Sequence, residues 1–278
     1  MPNRAKVLID CEDAKGLVYL ISKVFYDRGL NIDNNREFVE KETNRFFMRT
    51  VVSGKFLYNE LEDALIEILP YNSIIKIIEP KDKNIIIMAT KESHCLGDIL
   101  IRWNSNELDA NILAVIANHK DLEELTTKFN IPFIYISADN LEREEHEDRI
   151  IKQLYNFNFD YIVLAKYMRI LSSHFVLNYK QRIINIHHSF LPAFIGANPY
   201  KQAYKRGVKI IGATAHYVTN DLDEGPIIYQ DVVSVNHRFE WRDMQRAGRD
   251  VEKIVLSRAL SLVLHDRVFI HGNKTVIF

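Results

Sequence analysis

The chain has 278 residues, enough for two domains of ordinary size, and 47% of them are hydrophobic, which is enough to form buried cores. The net charge is −1, with 36 lysines and arginines against 37 aspartates and glutamates, so no overall basic field attracts nucleic acid or an anionic membrane. Cys11 and Cys95 are too far apart for a disulfide framework or a zinc motif, and no apolar run is long enough for a signal core or a membrane span. We therefore expect a soluble cytoplasmic protein without nucleic-acid or membrane partners.

The first eighty residues predict a small α/β domain. Apolar residues recur at helical spacing over 14–28 and again over 57–69, and Gly29 ends the first of these helices. Strand-like segments precede, separate and follow the helices, at 6–10, 31–39, 45–53 and 73–79. The order is β-α-β-β-α-β, which predicts a ferredoxin-like domain over residues 1–80.

From residue 84 the pattern changes to short, continuous apolar runs separated by segments of helical length. The runs that predict parallel strands covered on both faces are 84–90, 111–117, 132–137, 161–166 and 182–186. Strand-like segments at 212–218 and 227–235 lie closer together, which indicates that part of the sheet is antiparallel. A long helix over 241–265 and a hairpin around Gly272 and Asn273 follow. The sequence thus predicts a doubly wound, mostly parallel α/β domain over residues 84–278.

The stretch INIHHSFLPAF, residues 184–194, contains two adjacent histidines at the end of a predicted strand. Side chains alternate between the faces of a strand, so Asn185 and His187 are expected on one face and His188 on the other. The two histidines are therefore not expected to bind a metal as a pair. An amide donor beside an imidazole at the carboxyl end of a strand instead indicates a candidate catalytic pair.

The segment GATAHYVTNDLDEGPIIYQD, residues 212–231, offers a third group. Asp221 and Asp223 have the character of ordinary turn residues, yet either would complete a set of amide donor, proton carrier and carboxylate. Such a set suits acyl chemistry, because the amide stabilises a developing oxyanion while imidazole and carboxylate move protons. His216 is a weaker candidate, since a core histidine bonded to the backbone is an equal alternative.

These residues resemble the motifs of the folate-dependent formyltransferase family. Its Asn-x-His motif matches Asn185-Ile186-His187, and the aspartate of its L-D-x-G-P turn matches Asp223. LAKYMRILS, residues 164–172, is similar to the family's folate-binding segment, with Met168, Arg169 and Leu171 as the pocket residues. The resemblance implies a Rossmann-like formyltransferase domain, a folate substrate, and catalysis by Asn185, His187 and Asp223.

Within the family the resemblance is greatest to the deformylase branch, on NIHHSFLPAF, GANPY and LDEGPI. The ribonucleotide formyltransferases have a glycine-rich, phosphate-binding loop where this chain reads ATKESHCLGD, residues 89–98, with only Gly97. The deformylase branch implies hydrolysis of 10-formyltetrahydrofolate to tetrahydrofolate and formate, which balances the one-carbon folate pools of purine synthesis. Because the substrate carries the one-carbon unit, neither a metal nor a separate cofactor is expected. Formyl transfer to an amine such as glycinamide ribonucleotide, and a noncatalytic folate or amino-acid sensor, remain alternatives.

The first domain resembles an ACT domain, a small-molecule regulatory module, over CEDAKGLVYLISKVFYDRGLNI, residues 11–32. The resemblance implies pairing between subunits, hence a homo-oligomer, and an amino-acid effector as a candidate partner. Lys15 precedes Gly16 where many ACT domains have proline. Effector binding and a purely structural role in dimerisation therefore both remain open.

Overall fold

The computed structural model describes residues 3–192 and 199–278. Over these ranges the chain forms two compact units. The first comprises Met1–Lys81, Asp266–Phe269 and Val276–Phe278, and the second comprises Asp82–His265 and Ile270–Thr275. Parts of two sequence motifs, at 193–194 and 196–198, lie outside the described residues. Among the described helices, none combines the length and the apolar character needed to cross a membrane.

The first unit has the predicted β-α-β-β-α-β order. Its elements are β1 (Asn3–Glu12), α1 (Leu17–Asp27), β2 (Asn31–Glu40), β3 (Arg45–Gly54), α2 (Tyr58–Ile68) and β4 (Ile74–Ile78). The four strands form a sheet in the order β2-β3-β1-β4, and each neighbouring pair is antiparallel. This arrangement confirms the expected ferredoxin-like topology.

The two faces of this sheet are covered by different parts of the chain. One face packs against the apolar sides of the helices, where Ile21 and Phe25 of α1 lie over Ile9 of β1 in one buried cluster. On the other face, Phe47 is fully buried and its ring meets that of Phe269 at 5.6 Å in an edge-to-face contact. The sequence prediction placed all of 84–278 in the second domain, whereas Asp266–Phe269 and Val276–Phe278 group with the first unit. They bury aromatic side chains on the first sheet, and the spacing of a short hairpin does not predict such a contact.

The second unit is built around a seven-stranded sheet. Its elements are β5 (Lys83–Ala89), α3 (Ser93–Asn104), β6 (Ala110–Ala117), α4 (Glu123–Thr127), β7 (Phe133–Tyr135), α5 (Arg143–Leu154), β8 (Tyr161–Leu164), α6 (Ser173–Asn178), β9 (Ile183–His187), α7 (Pro199–Arg206), β10 (Ile210–Tyr217), β11 (Ile227–Ser234) and α8 (Trp241–Leu264). A terminal hairpin of β12 (Val268–His271) and β13 (Lys274–Ile277) follows at the expected Gly272-Asn273 turn.

The strand order β11-β10-β9-β8-β5-β6-β7 confirms a doubly wound, mostly parallel sheet. Five neighbouring strands, β9, β8, β5, β6 and β7, are parallel to one another. Strand β10 pairs antiparallel with β9 on one side and with β11 on the other, as the close spacing of β10 and β11 in the sequence predicted. From β5 the chain proceeds to β6 on one side, and it later returns to β8 on the other side of β5. Ligands of open α/β sheets bind at such a reversal, outside the carboxyl ends of the strands. The fold therefore predicts a ligand-binding site among the residues that follow β5, β8 and β9.

Candidate active site

The pairing of β9 with β10 brings two candidate side chains together. In this antiparallel register Asn185 lies opposite His216, and the two side chains meet with Asn185 Nδ2 at 3.2 Å from His216 Nε2. The other ring nitrogen of His216, Nδ1, lies 2.9 Å from the Tyr217 carbonyl oxygen, which can only accept a hydrogen bond. In a neutral His216 ring the Nε2 atom is therefore an acceptor for the Asn185 amide. His216 thus belongs to the site, where sequence reasoning had left it as a weaker candidate.

Asp223 reaches the same place from the turn that follows β10. Its backbone has a positive φ of 58°, and a β-carbon added at Gly225 would lie only 1.8 Å from the Tyr217 carbonyl oxygen. The turn is therefore packed so closely on the end of β10 that only glycine fits at position 225. The Asp223 Oδ1 atom lies 3.1 Å from His187 Nδ1 and 3.7 Å from His216 Nε2.

The two imidazole rings determine the charge of Asp223. Burial raises the pKa of this carboxyl, but its interactions with the imidazoles of His187 and His216 outweigh burial and hold the pKa well below its usual range. Asp223 is therefore ionised at neutral pH. An ionised carboxylate at His187 Nδ1 favours a proton on that nitrogen, which leaves Nε2 as the atom able to exchange a proton.

The His187 Nε2 atom is buried and has no hydrogen-bond partner within residues 3–192 and 199–278. An unpaired buried nitrogen is costly unless a ligand or water completes it, so His187 Nε2 is available to a molecule bound beside it. His187 also lines a cavity of about 510 Å³, together with Asn185, His216 and Asp223. The structure therefore places a proton-carrying nitrogen and an amide donor on the wall of one cavity.

The loop that follows β8 forms another wall of this cavity, which contains Met168, Arg169 and Leu171. All six predicted site residues thus line one cavity. The loop is fixed by groups outside it, since the buried Glu147 of α5 accepts a hydrogen bond of 2.8 Å from the Ser172 backbone amide and binds the Ser172 hydroxyl as well. Nearer its start, the Met168 amide donates to Thr90 Oγ1 at 2.9 Å. Sequence reasoning missed Glu147, whose available signal was a carboxylate on the apolar side of a highly charged helix.

His188 does not lie apart from His187, contrary to the sequence prediction. Strand β9 ends at His187, so the alternation of faces does not extend to the next residue. The two rings lie 5.1 Å apart, and both line the larger cavity. Burial, assisted by the charges of Lys166 and His187, lowers the pKa of His188 to about 4. His188 is thus neutral at pH 7 and is a near neighbour of the proposed catalytic ring.

A second polar cluster lies behind His188 and was not predicted. Its centre is Glu252 of α8, whose carboxylate contacts His94 Nε2 at 2.7 Å and Lys166 Nζ at 3.3 Å and accepts a hydrogen bond from the Tyr200 hydroxyl. Burial raises the pKa of Glu252, but the His94 hydrogen bond, the Lys166 charge and the Tyr200 hydrogen bond outweigh burial and lower the pKa to about 2. The available sequence signal was a glutamate inside the apolar stripe of the long helix.

The same cluster contains the His94, Cys95 and Glu252 ligand atoms within 4.8 Å of one another, a spacing that could suit a metal ion. The Lys166 ammonium group already lies where it neutralises Glu252. Burial raises the pKa of the Cys95 thiol well above its ordinary value, which opposes the thiolate form that binds metals. These contacts favour an ion-pair network over a metal centre.

Comparison with known proteins agrees with the fold. Residues 83–260 match the family model described as formyl transferase. A curated relative from Haemophilus influenzae, named formyltetrahydrofolate deformylase, is 54% identical over 98% of both chains, and one of the same name from Bacillus subtilis is 42% identical over 99% of this chain and 94% of its own. A crystal structure of a formyltetrahydrofolate deformylase from Pseudomonas syringae has a TM-score of 0.94 and 40% identity, covering 99% of this chain and 95% of its own. A glycinamide ribonucleotide transformylase from Symbiobacterium toebii has a TM-score of 0.69 and 26% identity, over 72% of this chain and 96% of its own.

The fold and the match over residues 83–260 define a formyltransferase-type α/β protein. Because the similarity to curated deformylases extends over nearly the full length at 42 to 54% identity, the chain belongs to the formyltetrahydrofolate deformylase group of the formyl transferase family. The ribonucleotide enzyme covers 72% of the chain, whereas the Pseudomonas syringae deformylase covers 99%.

The tight turn at Gly225 gives a direct test of how Asp223 is positioned. We expect Gly225→Ala to lower the thermal midpoint, at a cost of about 1–3 kcal/mol, because the new β-carbon must displace the Tyr217 carbonyl. Gly97→Ala is the matched control, since the nearest atom to its β-carbon would be Leu125 Cδ2 at 3.9 Å. The thermal midpoints of the two variants are compared by thermal unfolding. Equal midpoints would contradict the close packing of the turn.

Proposed function

We propose that this protein hydrolyses 10-formyltetrahydrofolate to tetrahydrofolate and formate. The observation that carries the proposal is the unpartnered His187 Nε2 beside the Asn185 amide in a cavity of about 510 Å³, a volume in the usual range for small-molecule sites. The curated relatives that match along nearly the whole chain have this activity in their name. The product formate would link the enzyme to the one-carbon folate pools of purine synthesis.

In the proposed mechanism, water attacks the formyl carbon of a substrate bound in this cavity. One hydrogen of Asn185 Nδ2 is directed to His216, so the second is free to donate to the developing oxyanion. His187 Nε2 accepts the proton that water loses, while Asp223 at Nδ1 orients the ring and stabilises its charge. The bond between the formyl carbon and N10 then breaks as N10 takes this proton from His187 Nε2, and the formic acid released gives its remaining proton to solvent and becomes formate.

The proposed reaction uses only the substrate and water. The substrate supplies the formyl group, and the side chains supply the oxyanion donor and the proton carriers. Hydrolysis changes no oxidation state, so neither a metal nor a separate cofactor enters the proposal.

The catalytic assignments are tested by formate release in the absence of any amine. We expect His187→Ala and Asp223→Asn to lower kcat by about 10²- to 10⁴-fold, because each removes part of the proton path. We expect Asn185→Ala to lower kcat by about 10²- to 10³-fold through loss of the oxyanion donor. The control is His237→Ala, whose side chain is exposed and lies outside the cavity.

The same assay separates the alternatives. Formate formed at full rate by both His187→Ala and Asp223→Asn would overturn the mechanism. Formate or formylated product that appears only when glycinamide ribonucleotide is added would favour a transferase. Tight folate binding by the wild-type protein without turnover would favour a sensor.

Glu147 is proposed as a positioning residue for the loop that lines the cavity. We expect Glu147→Gln to raise KM for 10-formyltetrahydrofolate by about tenfold with a smaller change in kcat, because the substitution weakens two hydrogen bonds to Ser172 and loosens the wall. Glu145→Gln is the matched control on the same helix, since its carboxylate is exposed and pairs with Arg149 at the surface. A purely structural role would lower stability and leave KM unchanged.

The first unit is proposed to self-associate and to offer a site for an amino-acid effector. Its support is the resemblance to ACT domains and the edge strand β2, on which Ile32 and Phe38 are exposed. Light scattering on the full chain should give a mass above the 32.5 kDa of one chain. The measured mass should fall in Phe38→Glu, because the substitution places a charge on the exposed edge strand. Addition of the twenty amino acids in turn should change the deformylase rate for at least one of them. A wild-type monomer would refute self-association, and twenty inert amino acids would refute the effector.

A cytoplasmic location is also proposed, because both cysteines are free thiols, as is usual in a reducing compartment.

A further inference from the structure

The catalytic residues lie beside a second, smaller cavity of about 150 Å³. Lys166, Met168 and His188 line both this cavity and the larger one, so the two meet at these side chains. We propose that the smaller cavity admits the attacking water and that Tyr200 closes it against larger nucleophiles such as amines. The inference rests on the proposed hydrolysis and names the residue that determines its nucleophile.

Tyr200 lies close to the proposed catalytic ring. The centre of its ring is 6.4 Å from that of His188, which in turn is 5.1 Å from that of His187. One imidazole therefore separates Tyr200 from the nitrogen that exchanges the proton. With substrate in the larger cavity, the smaller cavity offers an approach past Lys166, Met168 and His188, so the residues that line it bear on which nucleophile arrives.

The packing of Tyr200 leaves it little freedom to move aside. Only 8% of the residue is exposed, and its ring lies against the backbone of α8 at Gly248, where an added β-carbon would come within 2.3 Å of two ring carbons. Its hydroxyl donates to Glu252 Oε1. Burial, together with the Glu252 charge, raises the pKa of Tyr200, so the hydroxyl stays protonated and remains a donor. The ring is thus held by packing on one side and by a charge-assisted hydrogen bond on the other.

The cluster behind Tyr200 opposes the entry of an amine in a second way. Glu252 is ionised and its oxygens already accept from His94, Lys166 and Tyr200. An amine that occupied this region would have to displace one of these groups and leave a buried charge without its partner. Water needs no such displacement, because it is small and both donates and accepts hydrogen bonds.

The reaction that Tyr200 is proposed to prevent is a balanced transfer. The amine nitrogen would attack the formyl carbon, the bond from that carbon to N10 would break, and one amine proton would pass to N10 through His187. The products would be a formamide and tetrahydrofolate in place of formate. Amine and water therefore compete for the formyl carbon of the same bound substrate, and the ratio of formamide to formate measures the selection directly.

The wild-type protein itself provides the first test. The full chain is incubated with 10-formyltetrahydrofolate and either hydroxylamine, which is close to water in size, or glycinamide, which is larger. We expect enzyme-dependent formylation of hydroxylamine and only formate in the presence of glycinamide. Equal formylation of the two amines, or of neither, would overturn the inference. Absence of formate in every reaction would instead refute the proposed hydrolysis.

Variants at position 200 identify the side chain responsible. We expect Tyr200→Ala to raise the ratio of N-formylglycinamide to formate by at least about tenfold, in line with the discrimination that a filled pocket provides. Tyr200→Phe keeps the ring and should stay near the wild-type ratio. Tyr200→Leu should give an intermediate rise in the ratio, and it serves as the test if the alanine variant does not fold. Tyr204→Ala is the matched control, one turn further along α7 at an exposed position. An unchanged ratio in a folded Ala or Leu variant would show that Tyr200 does not select the nucleophile.

Discussion

The antiparallel register between β9 and β10 is the constraint on which the site depends. It places His216 opposite Asn185, so a side chain from each strand meets at the carboxyl end of the parallel sheet. The turn after β10 then returns Asp223 to both His187 and His216. Because Asp223 stays ionised between two imidazoles, it fixes the ring of His187 and leaves Nε2 available. A slip of one residue in this register would point these side chains to opposite faces of the sheet.

The loop after β8 connects this site to the rest of the second unit. It begins at Lys166, which lines both cavities, and it ends at Ser172, which Glu147 holds from α5. The larger cavity is thereby bounded by a segment fixed at both ends. A site of this kind holds its substrate with little reorganisation, since the ordering of the loop has been achieved by folding.

The proposed catalytic set alone does not define the reaction. A glycinamide ribonucleotide transformylase matches 72% of the chain at a TM-score of 0.69, whereas a deformylase matches 99% of it at 0.94. Transfer to an amine and transfer to water need the same oxyanion donor and the same proton path. We propose that the difference between them lies on the side from which the nucleophile arrives. There the structure has a packed tyrosine and a paired, buried glutamate.

The sequence by itself determined the local elements and the chemistry-bearing residues. Apolar periodicity predicted the strand and helix order of both units, and Asn185, His187 and Asp223 were predicted from short motifs. Only the tertiary structure decided which distant residues join them. His216, Glu147, Lys166 and Glu252 act through contacts across strands and helices, and the C-terminal aromatics pack on a sheet formed some two hundred residues earlier in the chain. Periodicity records which face of an element is buried, but it does not record what that face meets.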